Sequence, residues 1–388
     1  MSRKKILYVT ALYDGGIGRH VEALLAYFSR EYEVALASPN PPPLPDGERY
    51  RIAYYNLLLG GRNVPFWDGG AMLRLVQLCR EFQPALVHAH GFKASMLALP
   101  AAALCRCPAI VTVHNFPAYP AKSFLPESFF NGALRRFDPL VSRYITVSEA
   151  LRHFLINCGI DAARIKTIYN GVPGVFGEPG FVPATMRTFR PPAIIHIGTA
   201  GRLVPQKGMD IFIQAAAKLA SKYLRGRLLF FIAGEGPERE NLEKLRNNLE
   251  LCDLLFFKGK IHNMDAFFSG LDIFVLASRS EGLSFSLLEA AAARLPLVAA
   301  ASGGIPEIIS HGKTGLLVPP EDSEALAWVL GRLVDEPQTR IKLGTAALEE
   351  VKRRFTEKKM LAQTSSLYKE IFTAEKEREK GKISLVKQ

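Results

Sequence analysis

Short apolar runs recur along the chain, separated by stretches in which apolar residues return every three or four positions. KILYVTAL (residues 5–12), VALAS (34–38), ALVHAH (85–90), AIVTVH (109–114) and RYITVS (143–148) are rich in β-branched residues and predict strands. HVEALLAYFSREY (20–32) and AMLRLVQLCREF (71–82) carry the helical period between them. After a Gly- and Pro-rich stretch beginning at residue 174, the alternation restarts. AIIHIGTAG (193–201), LLFFIAG (228–234), LLFFKG (254–259), DIFVLAS (272–278) and PLVAA (296–300) predict strands, and MDIFIQAAAKLASKY (209–223) predicts a helix. Strands that alternate with helices form parallel sheets covered on both faces. The expected fold class is therefore α/β, with two Rossmann-like, doubly wound domains facing across a cleft. The domain boundaries are 1–175, a linker over 176–192, and 193–360, with a closing helix over 361–380 that packs back on the first domain. No short internal repeat is visible.

Length and composition agree. The 388 residues suffice for two cores, and 48% hydrophobic with 22% charged residues is ordinary for a globular chain. The formal charge of +12 attracts anions, and half of the excess lies after residue 350. No RNA-recognition signature or zinc-finger spacing accompanies it, which argues against nucleic acid. A solvated basic tail is the plainer reading, and contact with an anionic membrane surface the other. Five cysteines are too scattered for a disulfide framework, and the Cys105-x-Cys107 pair has no second pair to complete a metal site. The basic start MSRKK and the run behind it read as a first strand, not a secretion signal, because the run is short and Asp14 with two glycines follows. SMLALPAAALC (95–105) is too short to span a bilayer. A cytoplasmic protein is expected, one that can sit at the inner face of the plasma membrane.

In open α/β sheets ligands bind beyond the carboxyl ends of the strands, so the polar residues at those ends carry the chemistry. In YDGGIGRHV (13–21), Gly15 and Gly16 follow a strand and precede a helix, where backbone N–H groups can approach an anion. The dinucleotide fingerprint fails at Val21, and the second strand has no terminal acid for an adenosine ribose, which argues against a nicotinamide cofactor. In AGRLVPQKG (200–208), Arg202 and Lys207 offer a planar fork and a point charge that together can neutralise a diphosphate. In EGLSFSLLEA (281–290), Glu281 stands past a strand and Glu289 within the following helix, with the amides of Leu283, Ser284, Phe285 and Ser286 at its start. Those amides and the helix dipole suit an anion. Glu289 can accept bonds from sugar or ribose hydroxyls, or can serve as a helix cap.

The ordered set of these segments resembles a family 4 glycosyltransferase of GT-B fold. Glu281 and Glu289 match that family's E-x7-E motif, GRLVPQKG its diphosphate loop and GGIGRHV its glycine loop, while LVHAHG, IVTVHN, ITVSEALRHFL, IYNGV, AGEGPE and SGGIPEII follow in the expected order. The resemblance implies a retaining, nucleotide-sugar-dependent hexosyltransferase. Arg202 and Lys207 would hold the donor diphosphate, Glu289 the ribose and Glu281 the sugar hydroxyls. Gly16 would let the first domain close over the phosphates, and His114 would lie beside the anomeric carbon. Catalysis is thus assigned to Glu281, His114, Arg202 and Lys207. Donor binding is assigned to Gly15, Gly16, Arg202, Lys207, Glu281, Leu283, Ser284, Phe285, Ser286 and Glu289. His90 reads as a supporting residue and His88 as one that packs. No metal and no cofactor are expected, because no Asp-x-Asp motif follows a strand.

The partners expected are a UDP-sugar or GDP-sugar and a glycan or lipid-linked acceptor in cell-surface polysaccharide or glycolipid assembly. The acceptor would meet variable segments such as residues 115–137, which include Lys122, Arg135 and Arg136. Departures from the family pattern are Tyr169 and Pro173 around the IYNGV loop and Ser284 where Pro or Gly is common. A nucleotide-sugar 2-epimerase on the same fold and a non-catalytic nucleotide-sugar-binding protein are the alternatives.

Overall fold

A computed structural model describes residues 3–11, 13, 15–39, 52–57, 69–116, 132, 134–173, 194–223 and 226–386. The linker over 176–192 and most of the variable segment, Lys122 included, lie outside them. The chain divides into two compact units, Met1–Tyr169 with Lys358–Gln388, and Asn170–Glu357. It crosses from one unit to the other at residues 169–170 and 357–358, some residues short of the linker.

Among the described residues the first unit holds seven strands: β1 (Lys5–Thr10), β2 (Glu33–Ser38), β3 (Ile52–Asn56), β4 (Leu86–His90), β5 (Ala109–Val113), β6 (Arg143–Thr146) and β7 (Ile165–Thr167). They pair in the order β3-β2-β1-β4-β5-β6-β7, every pair parallel. The period of two sends alternate side chains to opposite faces. Leu7 and Val9 join Ala35 and Ala37 in one core with helices Gly69–Phe82 and Phe92–Leu104, whereas Ile6 and Tyr8 join Val34 and Leu36 in another. That second core is closed by helices Gly15–Phe28 and Glu357–Val386, the latter contributing Met360, Leu361, Leu367, Tyr368, Ile371 and Phe372. At about 1.5–3 kcal/mol for each fully buried side chain, as an upper bound, the terminal helix is a structural part of the first unit. The apolar stretch around Pro100 is helix Phe92–Leu104 with the half-buried proline inside it.

The second unit holds six described strands: β8 (Ile195–Ala200), β9 (Leu228–Ala233), β10 (Leu255–Gly259), β11 (Ile273–Leu276), β12 (Leu297–Ala300) and β13 (Leu316–Val318). Their order is β10-β9-β8-β11-β12-β13, again all parallel. Each sheet therefore reverses strand order beside its first strand, between β1 and β4 and between β8 and β11. In doubly wound sheets such a reversal opens a crevice at the carboxyl ends, where ligands bind. Both halves are Rossmann-like. Among the described residues no helix is long and apolar enough to cross a membrane.

Candidate active site

The second unit's reversal point brings together the loops after β8 and β11. Lys207 ends the 3-10 turn Pro205–Lys207, and its Nζ donates to Glu281 Oε1 at 2.5 Å. The Glu281 side chain is 4% exposed and that of Lys207 24%, so the pair is largely shielded from water while the ammonium keeps one open side. Ser278 Oγ donates to the same Oε1 at 2.8 Å. A buried carboxylate is tolerated when charge and hydrogen bonds compensate it, and both are supplied here.

Backbone contacts hold each loop. Gly304 N donates to the Glu281 carbonyl at 3.0 Å and Ser302 Oγ to that of Ser278 at 2.7 Å. The SGGIPE segment thus supports the glutamate loop from below. Gly208 has φ +60°, and a Cβ there would fall 2.0 Å from the Ala277 carbonyl oxygen. The glycine lets the basic loop lie directly on the end of β11. Gly234 plays the same part for AGEGPE, where a Cβ would lie 1.8 Å from the Gly201 oxygen. Asn170, in the IYNGV segment and buried, donates from Nδ2 to the Leu283 carbonyl at 3.1 Å. The course of that segment is described as far as Pro173: Val172 N donates to the Phe355 carbonyl, and Glu357 N to that of Val172.

Ser284 is the N-cap of helix Phe285–Ala292, its Oγ accepting from Leu287 N and lying 3.0 Å from Ser286 Oγ. Serine at this position satisfies an orphan helical donor, so Glu289, the fifth residue of the helix and half-buried, is not the cap. Leu283 is buried, and Phe285 and Ser286 are half-buried. Arg202 lies on the Lys207 loop, exposed, and among the described residues it makes no ion pair. Lys207 and Glu281 therefore meet beyond the carboxyl ends of β8 and β11, and Ser284, Ser286 and Glu289 follow on the cap and body of the helix after β11.

The first unit's reversal point is lined by histidines. His20 comes from helix Gly15–Phe28, His90 ends β4 and His114 follows β5, all three buried. His90 Nδ1 lies 3.1 Å from His114 Nε2, and the His20 ring meets that of His114 edge-on at 4.8 Å. His90 Nε2 is buried without a hydrogen-bond partner among the described residues. Burial, reinforced by neighbouring imidazoles, holds His88, His90 and His114 well below the usual histidine range, so they stand neutral at pH 7. His20, His90 and His114 could hold a metal ion, their donor atoms lying within 4.8 Å of one another. Gly15, with φ +62°, begins the helix, exposed, and Gly16 follows half-buried.

His88 does more than pack. Its Nδ1 lies 2.6 Å from Tyr368 Oη and its Nε2 2.7 Å from Thr112 Oγ1, and Tyr368 Oη donates to Tyr8 Oη at 3.2 Å. This buried network ties the terminal helix to β1, β4 and β5. Arg135 donates from Nε to the Cys158 carbonyl at 3.0 Å. All five cysteines are free thiols.

Sequence reasoning did not single out His20, Ser278, Asn170 or the Arg279–Asp210 pair described below. The buried spacing of His20 with Val21, Leu24 and Phe28 carried a signal for the first. Nothing local announces Asn170 or the Arg279–Asp210 pair, whose partners are remote in the chain, and Ser278 bonds Glu281 only three residues on.

Comparison with known proteins agrees with the architecture. Residues 14–173 match the model of Glycosyltransferase Family 4, and residues 193–350 that of Glycosyl transferases group 1. The chain is 30% identical over 310 residues to the D-inositol 3-phosphate glycosyltransferase of Corynebacterium efficiens, covering 75% of this chain and 72% of that one. Solved structures share the fold, the following two among them. The sucrose-phosphate synthase of Thermosynechococcus elongatus gives a TM-score of 0.81 at 19% identity, over 96% of this chain and 100% of the other. Anabaena HepE in complex with UDP-glucose gives 0.78 at 21% identity, over 94% of this chain and 99% of the other. The fold, the ordered motifs and these matches together place the chain in the family 4 glycosyltransferases, as a transferase of GT-B architecture.

Proposed function

We propose that the protein transfers a hexose, with retention of anomeric configuration, from a nucleoside-diphosphate donor to a hydroxyl of a glycan or lipid-linked acceptor. The observation that carries this reading is the Lys207–Glu281 pair at 2.5 Å, set beside the N-terminus of helix Phe285–Ala292 at a topological switch point. A diphosphate brought there meets a half-open ammonium, the exposed guanidinium of Arg202 and the amide end of a helix. Negative charge grows on the diphosphate as the glycosidic bond breaks, so preorganised donors aimed at it lower the barrier. Glu281, which holds Lys207 in place, accepts bonds from donor-sugar hydroxyls with its remaining oxygen, and Glu289 receives the ribose. The amides of Leu283 to Ser286 and the glycine loop at Gly15 and Gly16 complete donor binding. His114 is kept neutral by burial, so it offers the reacting carbon a hydrogen-bonding group without a positive charge.

No carboxylate is assigned as a nucleophile. Leaving and attacking oxygens share one face of an oxocarbenium-like centre, which preserves configuration. No metal is required in this scheme, since two cations bear the diphosphate charge. HepE has been crystallised with UDP-glucose, which favours a uridine donor for the first trials. The basic chain end favours work at the inner face of an anionic membrane, in cell-surface polysaccharide or glycolipid assembly.

The test is a thermal-shift screen of UDP- and GDP-sugars, followed by NMR of the product formed from the best donor and a panel of acceptors. An α-linked product from an α-donor is expected. Inverted product would overturn retention, and an epimerised donor formed without acceptor would replace transfer by epimerisation.

A further inference from the structure

Arg279 stands two residues before Glu281, and its contacts reach the opposite loop. Its backbone N donates to the Gln206 carbonyl at 2.8 Å, and Nη1 donates to the Pro205 carbonyl at 2.7 Å. The fork clasps Asp210, Nη1 to Oδ1 at 2.9 Å and Nη2 to Oδ2 at 2.7 Å, while Nε donates to Glu321 Oε1 at 2.9 Å. Pro205, Gln206 and Asp210 bracket Lys207 on both sides. We propose that Arg279 is a positioning residue for donor binding, which locks the Pro205–Lys207 turn and thereby sets where the Lys207 ammonium stands. The proposal rests on the reading of Lys207 as a diphosphate ligand.

Charge and geometry separate this role from that of a phosphate ligand. A guanidinium has five N–H donors in one plane, and the protein itself occupies four of them. Two carboxylates, Asp210 and Glu321, offset its single positive charge, which leaves little attraction for an anion. The bidentate pair with Asp210 is the stronger contact, at 29% and 35% side-chain exposure, whereas Glu321 is 65% exposed and contributes little. Burial raises the Asp210 carboxyl, but the hydrogen bonds and charge of Arg279 outweigh it and hold the group below the ordinary range. Arg279 is thus spent on fixing two loops together at the level of Lys207. A lysine stem is flexible, so the turn that carries it decides whether the ammonium reaches both Glu281 and a diphosphate. Misplacing a reacting group by 1 Å can cost about 10²-fold in rate.

The experiment titrates UDP and GDP, by calorimetry, into the full chain and into K207A, R279A, R279K and the K207A/R279A double variant, each checked for folding by circular dichroism. Wild type is expected to bind at least one of the two probes, and K207A to bind it at least tenfold more weakly. R279A should weaken binding at least fivefold, and R279K should recover little of the loss, because a point charge cannot span the Pro205 carbonyl and both oxygens of Asp210. The double variant should bind within twofold of K207A alone, since Arg279 acts through Lys207. Binding by R279A within twofold of wild type, full rescue by R279K, or losses that multiply in the double variant would each overturn the proposal. Failure of the wild type to bind either probe, or wild-type binding by K207A, would instead remove the reading of Lys207 and this inference with it. If R279A does not fold, R279Q takes its place with the same outcomes.

Discussion

Two glycines with nearly the same backbone angle separate a conformational cost from a packing cost. Gly208 has φ +60° and Gly15 φ +62°, so alanine at either position occupies the left-handed region, at about 1–2 kcal/mol. Their surroundings differ. Around Gly15 an added Cβ meets nothing within 4 Å, whereas at Gly208 it would lie 2.0 Å from the Ala277 oxygen and 2.9 Å from its carbonyl carbon. That carbonyl is main chain at the end of β11 and cannot swing away as a flexible side chain would. Relief requires the two loops to part by roughly 1 Å, and overpacking of that kind adds about 1–3 kcal/mol. G208A should therefore cost about 2–5 kcal/mol, against about 1–2 for G15A. For units of this size each kcal/mol moves Tm by roughly 2–4 °C. Differential scanning calorimetry of both variants should show a fall of roughly 4–20 °C for G208A in the transition of the second unit, and a fall of roughly 2–8 °C for G15A in that of the first. Equal losses in the two variants would refute the argument, because they would mean that the close approach of the basic loop to Ala277 is not made.

The other expectations concern charge and buried hydrogen bonds. K207A or R202A should lower turnover of the cognate donor at least tenfold, since loss of one preorganised donor to developing charge costs about 2.7–4 kcal/mol of barrier; near-normal rates would remove that residue from the set. Activity should survive dialysis against EDTA, and its loss with recovery on adding a divalent metal would turn attention to His20, His90 and His114. His88, His90 and His114 are held neutral by burial while the unfolded chain takes up protons below about pH 6.5, so the unfolded state binds more protons there. Stability should fall as pH drops below 6.5, by up to about 1.4 kcal/mol per pH unit for each histidine, and urea titrations from pH 7 to 5 that give a flat profile would contradict their burial. Y368F strips the partner from His88 Nδ1 and from Tyr8, and should cost about 1–3 kcal/mol in the same urea assay without changing nucleotide affinity.

The strands that face a core on both sides, such as β1, β4 and β11, were readable because near-continuous apolar runs have few other uses. β3, β7 and β13 were not. IAYYN is half-exposed with two tyrosines, and IKT and LLV are three residues long, so only pairing with a neighbour makes them strands. The last helix begins at Glu357, ahead of the 361 expected from its pattern, because its first turn follows directly on the pairing of Val172 with Thr356. In the site, Ser284 could be read as the start of a helix from its neighbours alone. Arg279 looked like any surface arginine, since its partners lie about seventy residues before it and forty-two after it.

Hydrophobic periodicity is a local property, and it was enough by itself to determine most of the alternation of strand and helix, the two α/β halves and the segments where chemistry could sit. It carries no information on which strand lies beside which, because burial has no direction. Strand order was decided by the tertiary structure, and with it the reversal between β8 and β11 that carries Lys207 to Glu281 across 74 residues. Hydrogen bonds and ion pairs are directional and short, so Arg279 with Asp210, Asn170 with Leu283 and the histidines of the first unit could find one another only once both sheets had set the register.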